Sequence, residues 1–163
     1  MERLLCIWFG AGLLRPAPGT WGSAVAVLLG VLLHRIGHFP LLAVATVAVT
    51  VAGFWAVPRY TKGMSDPDRS EIVIDEVAGQ WLALCFPSAA FYLAGMSAET
   101  FPYPGWLAAF LFFRLFDIWK PWLVGRADRD GGVRGVMLDD LWAGLFAGIA
   151  TIIAAAVAHG VLM

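Results

Sequence analysis

Lys, Arg, Asp and Glu are distributed so that residues 16–34, 36–58, 77–98 and 141–163 contain none of them. Residues 100–113 form a shorter gap, extended by the apolar residues around Arg114. One membrane crossing needs roughly 20 mainly apolar residues, so the pattern predicts four or five transmembrane helices, over about 21–37, 39–58, 74–95, 104–122 and 139–160. Gly22, Ala26 and Gly30 in the first, and Gly144 and Gly148 in the last, recur four apart, a spacing that suits close helix packing in lipid. The leading stretch LLCIWFGAGLL (4–14) is too short to span. Arg15 and two prolines stand where a signal peptide would carry its small-residue cleavage site, so residues 1–20 are expected to form an interfacial or re-entrant segment ending in a loop.

Composition sharpens this to a class. Hydrophobic residues make up 60% of the 163 and charged residues 14%, with a mean hydropathy of +0.77. A soluble domain is far less apolar, so the chain reads as one integral-membrane domain over 1–163, an all-α polytopic helical bundle. With five spans and a cytoplasmic N-terminus, Arg3, Arg15, Arg59, Lys62, Arg69, Lys120, Arg126, Arg129 and Arg134 fall on the inner side or its border, and Arg35 falls outside. The same topology gathers the charged ends of the spans on the cytoplasmic face. The partner is then the lipid bilayer, with no nucleic acid expected; the pattern fixes no oligomeric state.

Candidate chemistry sits in three polar blocks. In IVIDEVAGQW (72–81) Asp75 and Glu76 are adjacent near the start of the third span, and in GGVRGVMLDDLWAG (131–144) Asp139 and Asp140 are adjacent at the start of the fifth. Neighbours on a helix point about 100° apart, so each pair can aim one carboxylate at a shared centre. Four acids brought together repel one another, and a hard divalent cation with oxygen ligands, Mg²⁺, relieves that repulsion. The plainer alternative is that the acids cap helix ends, where the macrodipole favours them. In FRLFDIWKPW (113–122), Arg114, Asp117 and Lys120 are spaced i, i+3, i+6, one polar stripe on an apolar span. Asp117 can pair Arg114 and Lys120 can reach a phosphate; a packing salt bridge with a snorkelling lysine has the same spacing.

In RPAPGTWGS (15–23), Pro18 and Gly19 predict a turn and Thr20 a helix N-cap, with free backbone N–H groups beyond it able to cradle an anion. The glycine loop GGVRG (131–135) precedes the second acidic pair and can approach a ligand closely. Cys6 and Cys85 are isolated and support neither a disulfide framework nor a thiolate metal site. His34, His38 and His159 fall near the outer ends of the spans, where interfacial polar roles are expected. Asp66, Asp68 and Ser70 mimic the D-x-D-x-S/T spacing of haloacid-dehalogenase-type phosphatases, but no apolar strand precedes them, so they read as a cytoplasmic loop with one accessory metal contact at most.

In order and over about 130 residues, APGTWGS, then DP followed by IVIDEVAG, then FRLFDIWKPW, then GG-x-x-G-V-M-L-D-D-x-x-A-G resemble the phosphatidylglycerophosphatase A family. Arg134 stands in the glycine loop where the family pattern reads closer to GG-x-G. The resemblance implies a Mg²⁺-dependent phosphatase of the bacterial inner membrane, multi-pass with its site facing the cytoplasm, that converts phosphatidylglycerophosphate to phosphatidylglycerol. In that reading Asp75, Glu76, Asp139 and Asp140 hold the metal and act catalytically, Asp117 orients Arg114 or joins the metal shell, and Gly19, Thr20, Arg114 and Lys120 bind the substrate phosphate. Two other readings are a cation or proton transporter with an acidic relay and a CDP-alcohol phosphotransferase-like phospholipid synthase. The synthase's D-G-x-x-A-R signature is absent, and the acids crowd one interface rather than the midplane a relay needs.

Overall fold

The computed structural model describes residues 1–64, 69–101 and 103–162. All regular elements among them are helical: α1 (Glu2–Cys6), a 3₁₀ turn (Trp8–Leu13), α2 (Pro18–Tyr60), α3 (Ile74–Leu93), α4 (Tyr103–Trp119), α5 (Leu123–Asp130) and α6 (Gly132–Leu162). Asp66 and Asp68 lie outside the described residues.

α2 is a helical hairpin. Its backbone leaves helical values at Gly37 (φ −144°, ψ 19°) and His38 (φ 56°, ψ −158°). Pro40 follows, in the first turn of the second arm, where its missing N–H costs no intrahelical bond. The two arms run in opposite directions along α3. On the first arm, Gly22 packs on Val73, the Ala26 carbonyl accepts from Trp81 Nε1 at 2.7 Å, and His34 pairs with Ser88 at 2.7 Å, so both helices advance together. On the second arm, Thr46 meets Cys85 and Gly53 comes back to Ile74. His34 is fully buried and stacked on Phe101, an interior rather than the expected interfacial residue.

α4 is antiparallel to α3, with Gly105 beside Pro87 and Phe113 against Gly79. α6 is parallel to α3, with Gly144 on Gly79 and Gly148 on Phe86. A β-carbon on Gly144 would stand 3.0 Å from the Gly79 Cα, so the absence of side chains lets these two backbones touch. This alternation brings the starts of α2, α3 and α6 and the end of α4 to one end of the bundle.

Phe113, Leu42, Ile74, Leu84, Met137, Val57 and Val77 are wholly buried, while Leu28, Ile36, Val44, Leu111, Ile118 and Ile153 are exposed. Such an apolar exterior on a packed bundle marks a surface meant for a non-aqueous neighbour. Pro18–Tyr60 and Gly132–Gly160 are long and apolar enough to cross a membrane.

A candidate active site at one end of the bundle

The first turn of α3 carries Asp75 and Glu76. Val73 precedes this helix, and its N–H donates to the Cys6 carbonyl at 2.9 Å, so the N-terminal segment holds the entry to α3 in place. Asp75 Oδ1 accepts from the Glu76 backbone N–H at 3.0 Å. Across the Gly79–Gly144 contact, α6 supplies Asp140, and one carboxylate oxygen from each of Asp75, Glu76 and Asp140 lies within 4.8 Å of the others. Asp75 and Asp140 are buried and Glu76 is half-buried. Three carboxylates this close in an apolar bundle need a counter-charge, and the cluster is suited to hold a metal ion through hard oxygen donors.

Asp139, the fourth expected ligand, turns elsewhere. Its Oδ1 accepts from the Asp140 backbone N–H at 2.9 Å, and its Oδ2 receives a hydrogen bond from Lys120 Nζ at 3.1 Å. Lys120 also pairs with Asp128 on α5. The expected helical stripe through Lys120 does not form, because α4 ends at Trp119 and Lys120 takes the left-handed region at φ 51°. Pro121 explains the ending, since the residue before a proline is pushed out of the α region. Asp128 had only its place in a charged run to announce it.

Arg114 and Asp117 do pair, Nη1 to Oδ2 at 2.7 Å, with both side chains mostly buried. Arg114 Nη1 also reaches Ser23 Oγ at 3.4 Å, and Ser23 donates to the Gly19 carbonyl at 2.8 Å. Ser23 closes the APGTWGS block, and nothing in its local spacing marks it as a partner of Arg114. Gly19 itself faces the Glu76 carboxylate and Arg114, and a β-carbon there would lie 3.5 Å from Nη1 and collide with Glu76 Oε1. A side chain at this approach would push the Glu76 carboxylate aside. Glu76 Oε2 and Arg114 Nε are buried without a hydrogen-bond partner among the described residues.

Two local expectations are corrected. Thr20 does not cap α2: Ala17 is the N-cap and Pro18 opens the helix, so Thr20 lies in its first turn. Proline's fixed φ is already helical, which moves the start ahead of the turn expected there. The GGVRG loop is also mostly helix, since α6 begins at Gly132 and only Gly131 stands before it. Asp139 and Asp140 therefore sit in the second turn and beyond, rather than at the dipole's positive end.

The phosphatidylglycerophosphatase A family model matches residues 4–155, which takes in every residue of this cluster. The chain belongs to the phosphatidylglycerophosphatase A family. It is 34% identical over 148 residues to the phosphatidylglycerophosphatase A of Haemophilus influenzae, covering 89% of this chain and 83% of that protein. It is 32% identical over 145 residues to the phosphatidylglycerophosphatase A of Escherichia coli, covering 88% and 77%. A Bacteroides thetaiotaomicron protein named "Putative phosphatidylinositol-3-phosphatase" is 34% identical over 142 residues, covering 85% and 83%. No solved structure matches the chain.

Proposed function

We propose that this chain is a membrane phosphatase that hydrolyses the terminal phosphate monoester of phosphatidylglycerophosphate, releasing phosphatidylglycerol and inorganic phosphate. The observation that carries this reading is the meeting of Asp75, Glu76 and Asp140 beside Arg114 and Gly19 at one end of the bundle. Family membership and the names of the Haemophilus and Escherichia relatives supply the substrate.

Asp75, Glu76 and Asp140 would hold Mg²⁺, with Asp139 beside them, and the bound ion would supply neutralisation of phosphoryl charge and a water of lowered pKa. Opposite the acids, Arg114 is oriented by Asp117 and Ser23 and donates to the phosphoryl oxygens. Gly19 lets the Glu76 carboxylate and Arg114 close on the first turn of α2, and the phosphate would meet that turn at Gly19 and Thr20, where backbone N–H groups and the helix dipole favour an anion. Lys120 uses two of its three donors on Asp128 and Asp139, fixing Asp139 and leaving one for a phosphate oxygen.

The site lies at the cytoplasmic face of the bacterial inner membrane in this reading. α2 crosses twice and α3, α4 and α6 once each, which gathers the basic residues on the inner side. An acidic relay for transport has no support from the family, and neither does a CDP-alcohol phosphotransferase.

The test is phosphate release by detergent-purified protein from phosphatidylglycerophosphate and from phosphatidylinositol 3-phosphate, each with Mg²⁺. The first lipid should be turned over at least about tenfold faster, a preference of the size one well-placed polar contact gives. Preference for the inositol lipid would reassign the substrate.

A further inference from the structure

Gln80 is fully buried, and neither its Nε2 nor its Oε1 has a hydrogen-bond partner among the described residues. A buried carboxamide with both ends free is costly, and such groups are normally satisfied by protein, water or ligand. Its position says where the partner lies. Gln80 is four residues beyond Glu76 on α3, so it stands on nearly the same face, about 40° around and about 6 Å further along the axis. Its neighbours fix the direction. Gly79 packs on Asp140 of α6 and Phe113 of α4, and Trp81 Nε1 donates to the Ala26 carbonyl of α2. Gln80, about 100° from each, points into the seam between α4 and α2. Glu76, Arg114 and Ser23 fill that seam one turn below, and it is there that Glu76 Oε2 and Arg114 Nε are also unpartnered.

We propose that Gln80 is a substrate-binding residue, whose Nε2–H donates, together with Arg114 Nε–H, to an oxygen of the phosphate monoester. This rests on the phosphatase reading above. A carboxamide suits the place because it adds a donor without adding charge to a seam that already holds Arg114 and Glu76.

The experiment compares the full-length protein with Gln80→Met, which keeps the volume and removes the polar atoms, and with Gln80→Glu, which keeps the shape and puts an acceptor where a donor is needed. Inorganic phosphate is the binding probe, read both as a product inhibitor and as a rise in Tm of the Mg²⁺-loaded protein. Gln80→Met should fold with a Tm equal to or above the parent, since an unpaired polar group has been removed. Its kcat/KM should fall by about 100-fold, the scale of one lost oxyanion donor, with a weaker inhibition constant for phosphate. Gln80→Glu should show the same weakening, and decides the matter if Gln80→Met does not fold. Unchanged phosphate affinity in the folded variants, or kcat/KM within about threefold of the parent, would overturn the assignment. If the parent hydrolyses neither lipid, the phosphatase reading falls by itself; phosphate protection present in the parent and lost in the variants would still uphold the Gln80 contact, and no protection in the parent would overturn it.

Discussion

Lys120 Nζ lies 3.1 Å from Asp139 Oδ2, while Asp140, the next residue, turns its carboxylate to Asp75 and Glu76. Two adjacent aspartates thus serve different partners: one is held by a lysine from the end of α4, the other joins the acidic cluster. Removing the lysine leaves a largely buried Asp139 without its cation. Lys120→Ala should lower kcat/KM by about tenfold through loss of this positioning, and Lys120→Arg should recover part of it. The backbone at Lys120 provides a second readout, because φ 51° is unfavourable for any residue with a β-carbon. Lys120→Gly should therefore be more stable than Lys120→Ala, by about 1 kcal/mol in denaturant unfolding.

The Gly79–Gly144 contact sets the distance between the two acidic segments. A β-carbon on Gly79 would meet Phe113 Cε2 at 2.6 Å and the Asp140 carbonyl carbon at 2.9 Å, and backbone cannot move aside as a flexible side chain does. Gly79→Ala should cost about 1–3 kcal/mol by overpacking and displace Asp140, with a fall in metal affinity measured by titration. Gly160→Ala, where a β-carbon meets nothing within 4 Å, should leave Tm and affinity unchanged.

The planar guanidinium of Arg114 offers donors in fixed directions, which a lysine ammonium does not reproduce. It reaches Asp117 and Ser23 through Nη1, with Nε left for a ligand. Arg114→Lys should therefore lose activity by about 100-fold despite keeping the charge, and Asp117→Asn by about tenfold. The double variant should fall no further than Arg114→Lys alone, since both act through one group.

The loop entering α3 has its own acid sensitivity. Glu71 accepts a hydrogen bond from the Tyr60 hydroxyl at 2.5 Å and one from Arg69 Nε at 3.1 Å, and these hold its carboxyl below its ordinary value of 4.5, the Tyr60 bond contributing most. A carboxyl depressed in the folded state stabilises it above the unfolded value and loses that contribution as pH falls through the folded one. Glu71→Gln should lower Tm at pH 7 by a few degrees, with the difference from the parent shrinking as the pH falls below the ordinary carboxyl value of 4.5 and through the lower folded one.

How much of this was legible in the sequence varied with the physics behind each element. The apolar gaps between charges read directly as helices, and Gly37–His38, where the expected spans 21–37 and 39–58 meet, is where α2 breaks. Arg114 and Asp117 paired because i, i+3 spacing on an uninterrupted helix leaves little alternative. Lys120 left that stripe because Pro121 ended the helix one residue earlier, a signal present in the chain but outweighed by the regular spacing. The glycines at 131–135 suggested a loop, yet only Gly131 and Gly132 have positive φ and the apolar run behind them continues the helix backward. Thr20 followed the cap preference while Pro18 had already opened the helix. Gln80, Ser23 and Asp128 were invisible as site residues, because their importance comes from what α2, α4 and α5 bring beside them, and no local spacing encodes that.

In the proposed function, the carboxylates gathered at the end of the bundle are the metal-dependent centre of a lipid phosphatase. This is tested most directly by phosphate release from phosphatidylglycerophosphate, with Mg²⁺ and after chelation, for the parent protein and Asp140→Asn at matched folding. Asp140→Asn changes one buried oxygen to an amide and leaves the α3–α6 contact intact. Release by the parent should depend on Mg²⁺, be abolished by chelation and be reduced at least about 1,000-fold in the variant, the scale expected when a metal-holding carboxylate is lost. Release that persists in Asp140→Asn, or that is indifferent to chelation, would contradict that assignment.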